Sequence, residues 1–427
     1  MYKYIDYKDK YGRIMQFGKN KTTPIHRWYP FVEGYSREFI ESIIDEQETK
    51  ELVALDPFSG SGTTALELQK MGIKCYSFEV NPFMFNLSSV KLKFPQYDSD
   101  ELLRCIKELE STIYKIDETV VSMQTNFRTL VENEGLKKWN LDFAVYVAIE
   151  KIKLGIKQID NDIYRNLFEI ALASILLDVS NLYRNGKCLS YKPTWKENKL
   201  SEVQVISKFF NALNSVFLED IQQETFSSKI DNAKYFFEGD SRELISNKIP
   251  DSSLDIVITS PPYLNSRDYT DSYMLELKAL GYVKTQEDIR SLRKKTLRSH
   301  VQLKMNDNLI IENELLHSTI DTMMVRMENL SQWNGEIPKM ILAYFIDIKV
   351  LLQSIFNKLK SGGKIYFNVS NSAYYNTLIN TLDITASIAE EIGFNIHEIR
   401  EARYLNPSPQ QKNKVDKLLE GVIIMVK

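Results

Sequence analysis

Cysteine and histidine are scarce, with three Cys (Cys75, Cys105 and Cys188) and four His in 427 residues. The cysteines stand too far apart for a zinc knuckle or a C-x-x-C redox pair, and their odd number gives no disulfide framework, so no metal site is expected and a reducing cytoplasm is. Glycine and proline are low as well, 16 and 12 residues, which excludes collagen-like and low-complexity chains. No window approaches 18 uninterrupted apolar residues, and the first residues, MYKYIDYKDKYGR, hold no apolar core of a signal peptide. Neither export nor membrane spanning is therefore expected. Charge of one sign is not in excess either: 54 Lys plus Arg against 57 Asp plus Glu give a net charge of −3. That removes the simplest argument for a nucleic-acid binder, a globally basic surface, so any such binding must be local.

What is present is an ordinary soluble composition, 43% hydrophobic and 26% charged, in a chain long enough for two to three domains or one enlarged α/β domain. Short β-like runs alternate with long helical stretches, the pattern of an α/β sheet flanked by helices. The candidate strands are Leu52–Asp56, Lys74–Glu79, Lys234–Phe237, Leu254–Thr259, Lys364–Val369, Asn395–Arg400 and Gly421–Val426, seven in one sheet. The sequence accordingly divides into a first sheet segment over 1–94, a helical insertion over 95–232, a short sheet segment over 233–265, a second insertion over 266–345 and a closing sheet segment over 346–427.

The first chemical signal is Asp56-Pro57-Phe58-Ser59-Gly60-Ser61-Gly62-Thr63, between an apolar strand and a helical run. Glycines let the backbone turn at positive φ and pass close to a ligand, and the following helix offers free N–H groups. A nucleotide-like cofactor suits such a turn, and Glu79, at the end of the next strand, stands where an acid would bind ribose hydroxyls. On this motif alone a nicotinamide-dependent dehydrogenase fits equally well.

The second signal is Ser260-Pro261-Pro262-Tyr263, directly after the apolar strand Leu254–Thr259. Proline has a fixed φ and no N–H, so the pair makes a stiff extended turn at a strand's carboxyl end, its carbonyls free of any ladder. An exocyclic amine could donate there to the Ser260 hydroxyl and the Pro261 carbonyl, with Tyr263 as a flat face for a base extruded from its stack. Those are the needs of amino methylation.

With these two motifs in order, the chain resembles the S-adenosylmethionine-dependent, amino-methylating DNA methyltransferases, in particular the N4-cytosine group whose motifs read close to F-x-G-x-G-T and S-P-P-Y. The resemblance implies a Rossmann-like, mostly parallel seven-stranded methyltransferase sheet carrying a large helical insertion. It also implies S-adenosylmethionine as cofactor, with Asp56, Pro57, Phe58, Ser59, Gly60, Gly62 and Thr63 around its methionine part, Glu79 on its ribose and Asp240 on its adenine amine. The segment Thr22–Phe31 looks like the family's additional cofactor-contacting stretch, which brings in Thr23. Leu359–Lys364 and Glu391–Phe394 look like the turns before the fifth and sixth strands, and Asn406-Pro407-Ser408-Pro409, flanked by Arg403 and Tyr404, resembles a base-pocket loop. The longest insertion falls inside the cofactor half, however, where a recognition domain is not usual, so the order of motifs does not assign that domain.

Two stretches compete for DNA. The helical insertion carries Arg184-Asn185-Gly186-Lys187 and Tyr191–Lys196; the second insertion carries Arg290, Arg293, Lys294, Lys295, Arg298 and Lys304 with no acid among them. Phosphate contact is a fair use of the latter run, and Arg267 and Tyr269, close behind the catalytic turn, are placed at the DNA-facing mouth. An exocyclic amine is a poor nucleophile because its lone pair is delocalised, and fixed acceptors at Ser260 and Pro261 would localise it. Positioning of two reactants can supply roughly 7–11 kcal/mol against a few for flipping the base, so no strong base is needed. C5-cytosine methylation would require a Pro-Cys turn, which none of the three cysteines supplies. In the family, Ser in the first position of the turn tends to go with cytosine and Asp with adenine. The reading is therefore an N4-cytosine methyltransferase acting on double-stranded DNA, the modification half of a restriction-modification pair whose endonuclease acts separately. N6-adenine and RNA amino methylation are its alternatives, and a dehydrogenase or a non-catalytic nucleic-acid-binding module stands for a different class.

Overall fold

Apolar runs flanked on both sides by helical sequence predict strands covered on two faces, and the sheet is built that way. The computed structural model describes all residues except 1, 122–124, 186–187, 198, 227, 266–267, 303–304, 306–308, 329–333, 409–410 and 412–414. Strands β1 (Tyr4–Asp6), β2 (Val53–Asp56), β3 (Lys74–Glu79), β4 (Phe236–Glu238), β5 (Leu254–Thr259), β6 (Leu359–Ser370), β7 (Asn395–Leu405) and β8 (Leu418–Val426) form one sheet in the order β1-β7-β8-β6-β5-β2-β3-β4. Neighbours are parallel throughout except at β8, which runs against both β6 and β7. The fold is thus the mixed α/β, Rossmann-like one, with a large and mostly parallel sheet.

Among the described residues the sheet has eight strands where seven were expected. The additional β1 pairs with β7 at the edge; three residues inside a charged stretch give no apolar run to read. The expected strand Lys234–Phe237 starts later, at Phe236, because Asn232–Tyr235 is a 3-10 turn capped by the side chain of Asp231. Side chains alternate across the strands into two cores: Ile256, Ile258, Val422 and Ile424 enter one, and Val257, Phe367, Ile423 and Met425 the other.

Between β3 and β4 lie helices that include Pro82–Leu92, Ser99–Lys115, Phe143–Lys157, Asp162–Val179 and Glu202–Ala212, with the hairpin Leu182–Asn185/Cys188–Tyr191. Ser99–Lys115 is capped by Asp98 and buries Leu102, Cys105, Ile106, Leu109 and Ile113, the spacing of a one-sided helix. Between β5 and β6 come Met274–Ala279, Gln286–Lys295, Glu314–Glu328 and Ile337–Lys358. The last has a mean hydropathy of 1.5, apolar and long enough to cross a membrane; here it buries Ile341, Phe345, Ile348 and Leu352 in the second core, against Ser241–Lys248 and Thr381–Ile392.

Chain order reverses between β2 and β5: from β2 the sheet grows outward to β3 and β4, from β5 to β6. Ligands of open α/β sheets bind beyond the strand ends at such a point, and both motifs lie there.

Candidate active site

The glycine turn leaves β2 at Asp56 and enters the helix Thr63–Lys70. Gly60 and Gly62 have φ of +52° and +82°, and a Cβ on Gly62 would stand 2.9 Å from the Ser88 side chain. The turn's carbonyls are tied backward to the helix Pro82–Leu92: Ser88 Oγ donates to Gly60 O (2.8 Å), and the buried Lys91 donates to Ser61 O (3.0 Å). Burial pushes the Lys91 pKa down to about 7. Glu79 accepts from the N–H groups of Gly60 and Asn81, each at 2.8 Å. Burial outweighs these bonds and pushes its pKa up to about 7. Asp56 lies behind the turn, where Oδ1 accepts from Thr259 Oγ1 and Phe58 N, both at 3.1 Å, tying the end of β2 to the residue before Ser260. Its pKa is pushed up to about 6, again by burial.

In front of the turn a cavity of about 480 Å³ opens over the strand ends. Its wall includes Pro57, Phe58, Gly60, Glu79 and Asp240 on one side and Ser260, Pro261, Pro262, Tyr263 and Tyr269 on the other. Ser59 and Thr63 line a small adjoining pocket, and Gly62 lines neither. Thr23 is outside both and donates to Lys19 O at 3.0 Å; within the expected stretch Thr22–Phe31 it is Phe31 that reaches the wall, with Lys21 before it and Val32, Glu33, Gly34 and Tyr35 after it. Asp240 caps the helix Ser241–Lys248, accepting from Arg242 N (2.9 Å), and pairs with the Arg242 guanidinium at 2.6 Å.

At the proline turn four strands converge. The Tyr263 hydroxyl donates to Glu420 Oε1 (2.6 Å) and accepts from Asn368 Nδ2 (2.7 Å); Ser260 Oγ lies 3.4 Å from that hydroxyl and 3.3 Å from Asn368 Nδ2. Because the Tyr263 proton is spent on Glu420, only the amide nitrogen of Asn368 can face it, and Asn368 Oδ1 is left buried with no hydrogen-bond partner among the described residues. Arg403 Nε closes the set on Glu420 Oε2. The Tyr269 hydroxyl receives the N–H of Tyr263 and the amide of Asn265, both at 3.0 Å. Burial and the neighbouring Glu420 carboxylate hold the Tyr263 phenol well above its usual pKa. Asn368 and Glu420 were not foreseen from sequence, although each is a polar residue inside a local apolar run, Asn368 in residues 365–369 and Glu420 in Leu418–Val426, and such residues need a reason to be buried.

The basic run is less free than it reads. Arg293 is paired with Asp268 and, at 2.7 Å, with Asp271, and Arg298 with Asp347 at 2.8 Å. The neutralising acids lie outside the run, so inspecting the run alone does not find them. Lys294 and Lys295 are exposed, and Lys295 reaches the cavity wall. Arg267, Lys304 and Pro409, together with Gly186 and Lys187, lie outside the described residues. In the helical insertion, Arg184 fastens the hairpin to the site's surroundings: it donates to Pro30 O (2.6 Å) and to the Tyr29 hydroxyl, and pairs with the fully buried Glu276 at 3.2 Å.

Residues 13–89 match the sequence profile of a family described as DNA methylase. Across its length the chain is similar to the Type II methyltransferase M.BsoBI of Geobacillus stearothermophilus, 26% identical over 423 residues that span 90% of this chain and 81% of that protein. It is likewise similar to the Type II methyltransferase M.AvaI of Nostoc sp., 26% identical over 91% of this chain and 82% of the relative. M.MvaI of Kocuria varians, also a Type II methyltransferase, is 21% identical over 93% and 87%. Together the profile and these relatives support an amino-methyltransferase, with cytosine N4 and adenine N6 both open as the methylated position.

Proposed function

We propose that the protein is a site-specific DNA methyltransferase that transfers a methyl group from S-adenosylmethionine to N4 of cytosine in double-stranded DNA, as the cytoplasmic modification enzyme of a restriction-modification system with a separate endonuclease. The observation that carries this is the single cavity shared by the Glu79–Asp240 wall and the Ser260–Tyr263 turn. The fit to the cofactor rests on the wall and the pocket beside it: two carboxylates able to accept from ribose and adenine, a backbone turn narrowed so that a Cβ on Gly60 would stand 3.1 Å from Phe31, and, in the adjoining pocket, a buried Ser59 hydroxyl without a partner among the described residues. When bound, S-adenosylmethionine supplies an electrophilic methyl group on its sulfonium sulfur.

The chain's own residues then have three tasks. Ser260 Oγ and the Pro261 carbonyl accept from the two protons of the target amine and hold its lone pair out of the ring plane. The stiff Pro261-Pro262 turn keeps those acceptors fixed, so that little reorganisation is required at the moment of transfer. Once methylated, the nitrogen is cationic and gives up a proton to Ser260 Oγ, whose own proton passes to the Tyr263 oxygen as the Tyr263 proton passes to Glu420. Glu420 ends neutral, and no stronger base is required. In the family that the chain resembles, Ser at the position of Ser260 tends to go with cytosine and Asp with adenine, and that tendency is what supports cytosine here. Lys294 and Lys295 are the proposed phosphate contacts, and Tyr269 stands at the mouth that admits the flipped base. A dehydrogenase would leave the Ser260–Tyr263–Glu420 set without a use. The test is transfer of label from tritiated S-adenosylmethionine into mixed duplex DNA, followed by digestion to nucleosides: label in N4-methylcytosine is the expected result, and label in N6-methyladenine corrects the base while keeping the chemistry.

A further inference from the structure

His300 is 1% exposed and lines the cavity, yet none of the steps above uses it. Its neighbours fix what it can offer. The Thr296 hydroxyl donates its proton to Arg293 O at 2.7 Å, so toward His300 Nε2, 3.3 Å away, it can act only as acceptor. Nε2 therefore carries the hydrogen, and Nδ1 is the bare acceptor nitrogen of a neutral ring. Burial keeps the ring neutral by lowering its pKa. Nδ1 is buried and has no hydrogen-bond partner among the described residues. Such an atom costs free energy unless a ligand donates to it.

The turn that carries His300 is fastened to one end of the cavity. Arg242, paired with Asp240 at 2.6 Å, also donates to the carbonyls of Lys295 and Thr296, each at 3.3 Å, and reaches Asp347 at 2.6 Å, which holds Arg298 in turn. The wall that presents Asp240 therefore presents His300 as well. We propose that His300 Nδ1 accepts a hydrogen bond from the nucleoside part of S-adenosylmethionine, making the second insertion a wall of the cofactor site. This rests on the reading that the cavity takes that cofactor. A target-base amine offers the same donor chemistry, so the experiment must separate the two sources.

The chain has four histidines, and His26, His317 and His397 do not line the cavity. With histidine ring carbons isotopically labelled in the full-length protein, substitution of those three assigns their signals, and the fourth belongs to His300 whether or not any variant at 300 folds. S-adenosylhomocysteine added without DNA is expected to shift the His300 signal and leave His317 and His397 in place. In calorimetry His300→Phe, which keeps a buried ring but no acceptor, is expected to weaken S-adenosylhomocysteine about fivefold, the size of one ordinary hydrogen bond. An unmoved His300 signal in protein that binds S-adenosylhomocysteine overturns the inference and leaves the cofactor reading intact. A shift that comes only with duplex DNA also overturns it, since His300 would then face the target base. Failure of the unaltered protein to bind S-adenosylhomocysteine at all removes the reading of the cavity, and the inference with it.

Discussion

The Tyr263 hydroxyl donates to Glu420 Oε1 at 2.6 Å, joining the proline turn to a strand 157 residues further along the chain. Glu420 is 1% exposed and also receives Arg403. Glu420→Ala would strand both partners, with an expected loss of roughly 1–3 kcal/mol in stability. It should also lower the methyl-transfer rate by about tenfold or more, one to two hydrogen bonds' worth at the reacting centre, while S-adenosylhomocysteine affinity stays within about twofold. Single-turnover kinetics beside calorimetry check this; an unchanged rate in a folded variant would separate Glu420 from the chemistry.

Arg184 and Glu276 form a pair in which the acid is fully buried and the base is 10% exposed. Removing one partner of such a pair costs about 3 kcal/mol because the other charge is left uncompensated. Arg184→Ala should therefore lower the urea midpoint strongly and open the hairpin Leu182–Tyr191 to proteolysis. Arg184→Ala with Glu276→Leu should recover part of that loss.

The basic run divides into two kinds of residue. Lys294→Ala with Lys295→Ala is expected to weaken DNA binding at every sequence and to reduce the slope of log K against log salt by about two, with the melting temperature unchanged. Arg293→Ala and Arg298→Ala, whose partners are Asp268, Asp271 and Asp347, should act mainly on stability. Salt titrations and thermal melts of the three variants distinguish the two kinds.

Glu79 gives a pH dependence with a definite sign. Its pKa in the folded chain is about 7 against 4.5 for an ordinary glutamate, with burial as the main cause. Between those values the folded state binds more protons than the unfolded one, so the contribution of Glu79 to stability is full below pH 4.5 and lost as the pH rises to about 7. Subtracting the unfolding free energy of Glu79→Gln from that of the unaltered protein across this window should give a difference that falls with pH. A flat difference would mean that the carboxylate is not shifted.

The motifs and most strands were legible because each is local: β3 and β5 were read with their observed ends, Lys74–Glu79 and Leu254–Thr259, and both turns carry their own backbone signals in glycine and proline. What could not be read was convergence. Asn368 and Glu420 meet Tyr263 only because β6 and β8 pair with each other next to β5, and strand order is not written in any one stretch of sequence. The same holds for Arg293 and Arg298, whose acids are supplied by segments on either side of the run. β1 escaped because three residues suffice at a sheet edge, too few for any period to show.

The central claim is that Ser260 holds a cytosine amine for methyl transfer, and the most direct measurement compares the unaltered chain with Ser260→Ala. Each would be incubated with labelled S-adenosylmethionine and duplex DNA, the nucleosides separated by chromatography, and S-adenosylhomocysteine binding measured in parallel. The account predicts label in N4-methylcytosine from the unaltered protein and its loss in Ser260→Ala, with binding retained. Full transfer by the variant, or no methylated base from a protein that binds both cofactor and DNA carrying its target sequence, would contradict it.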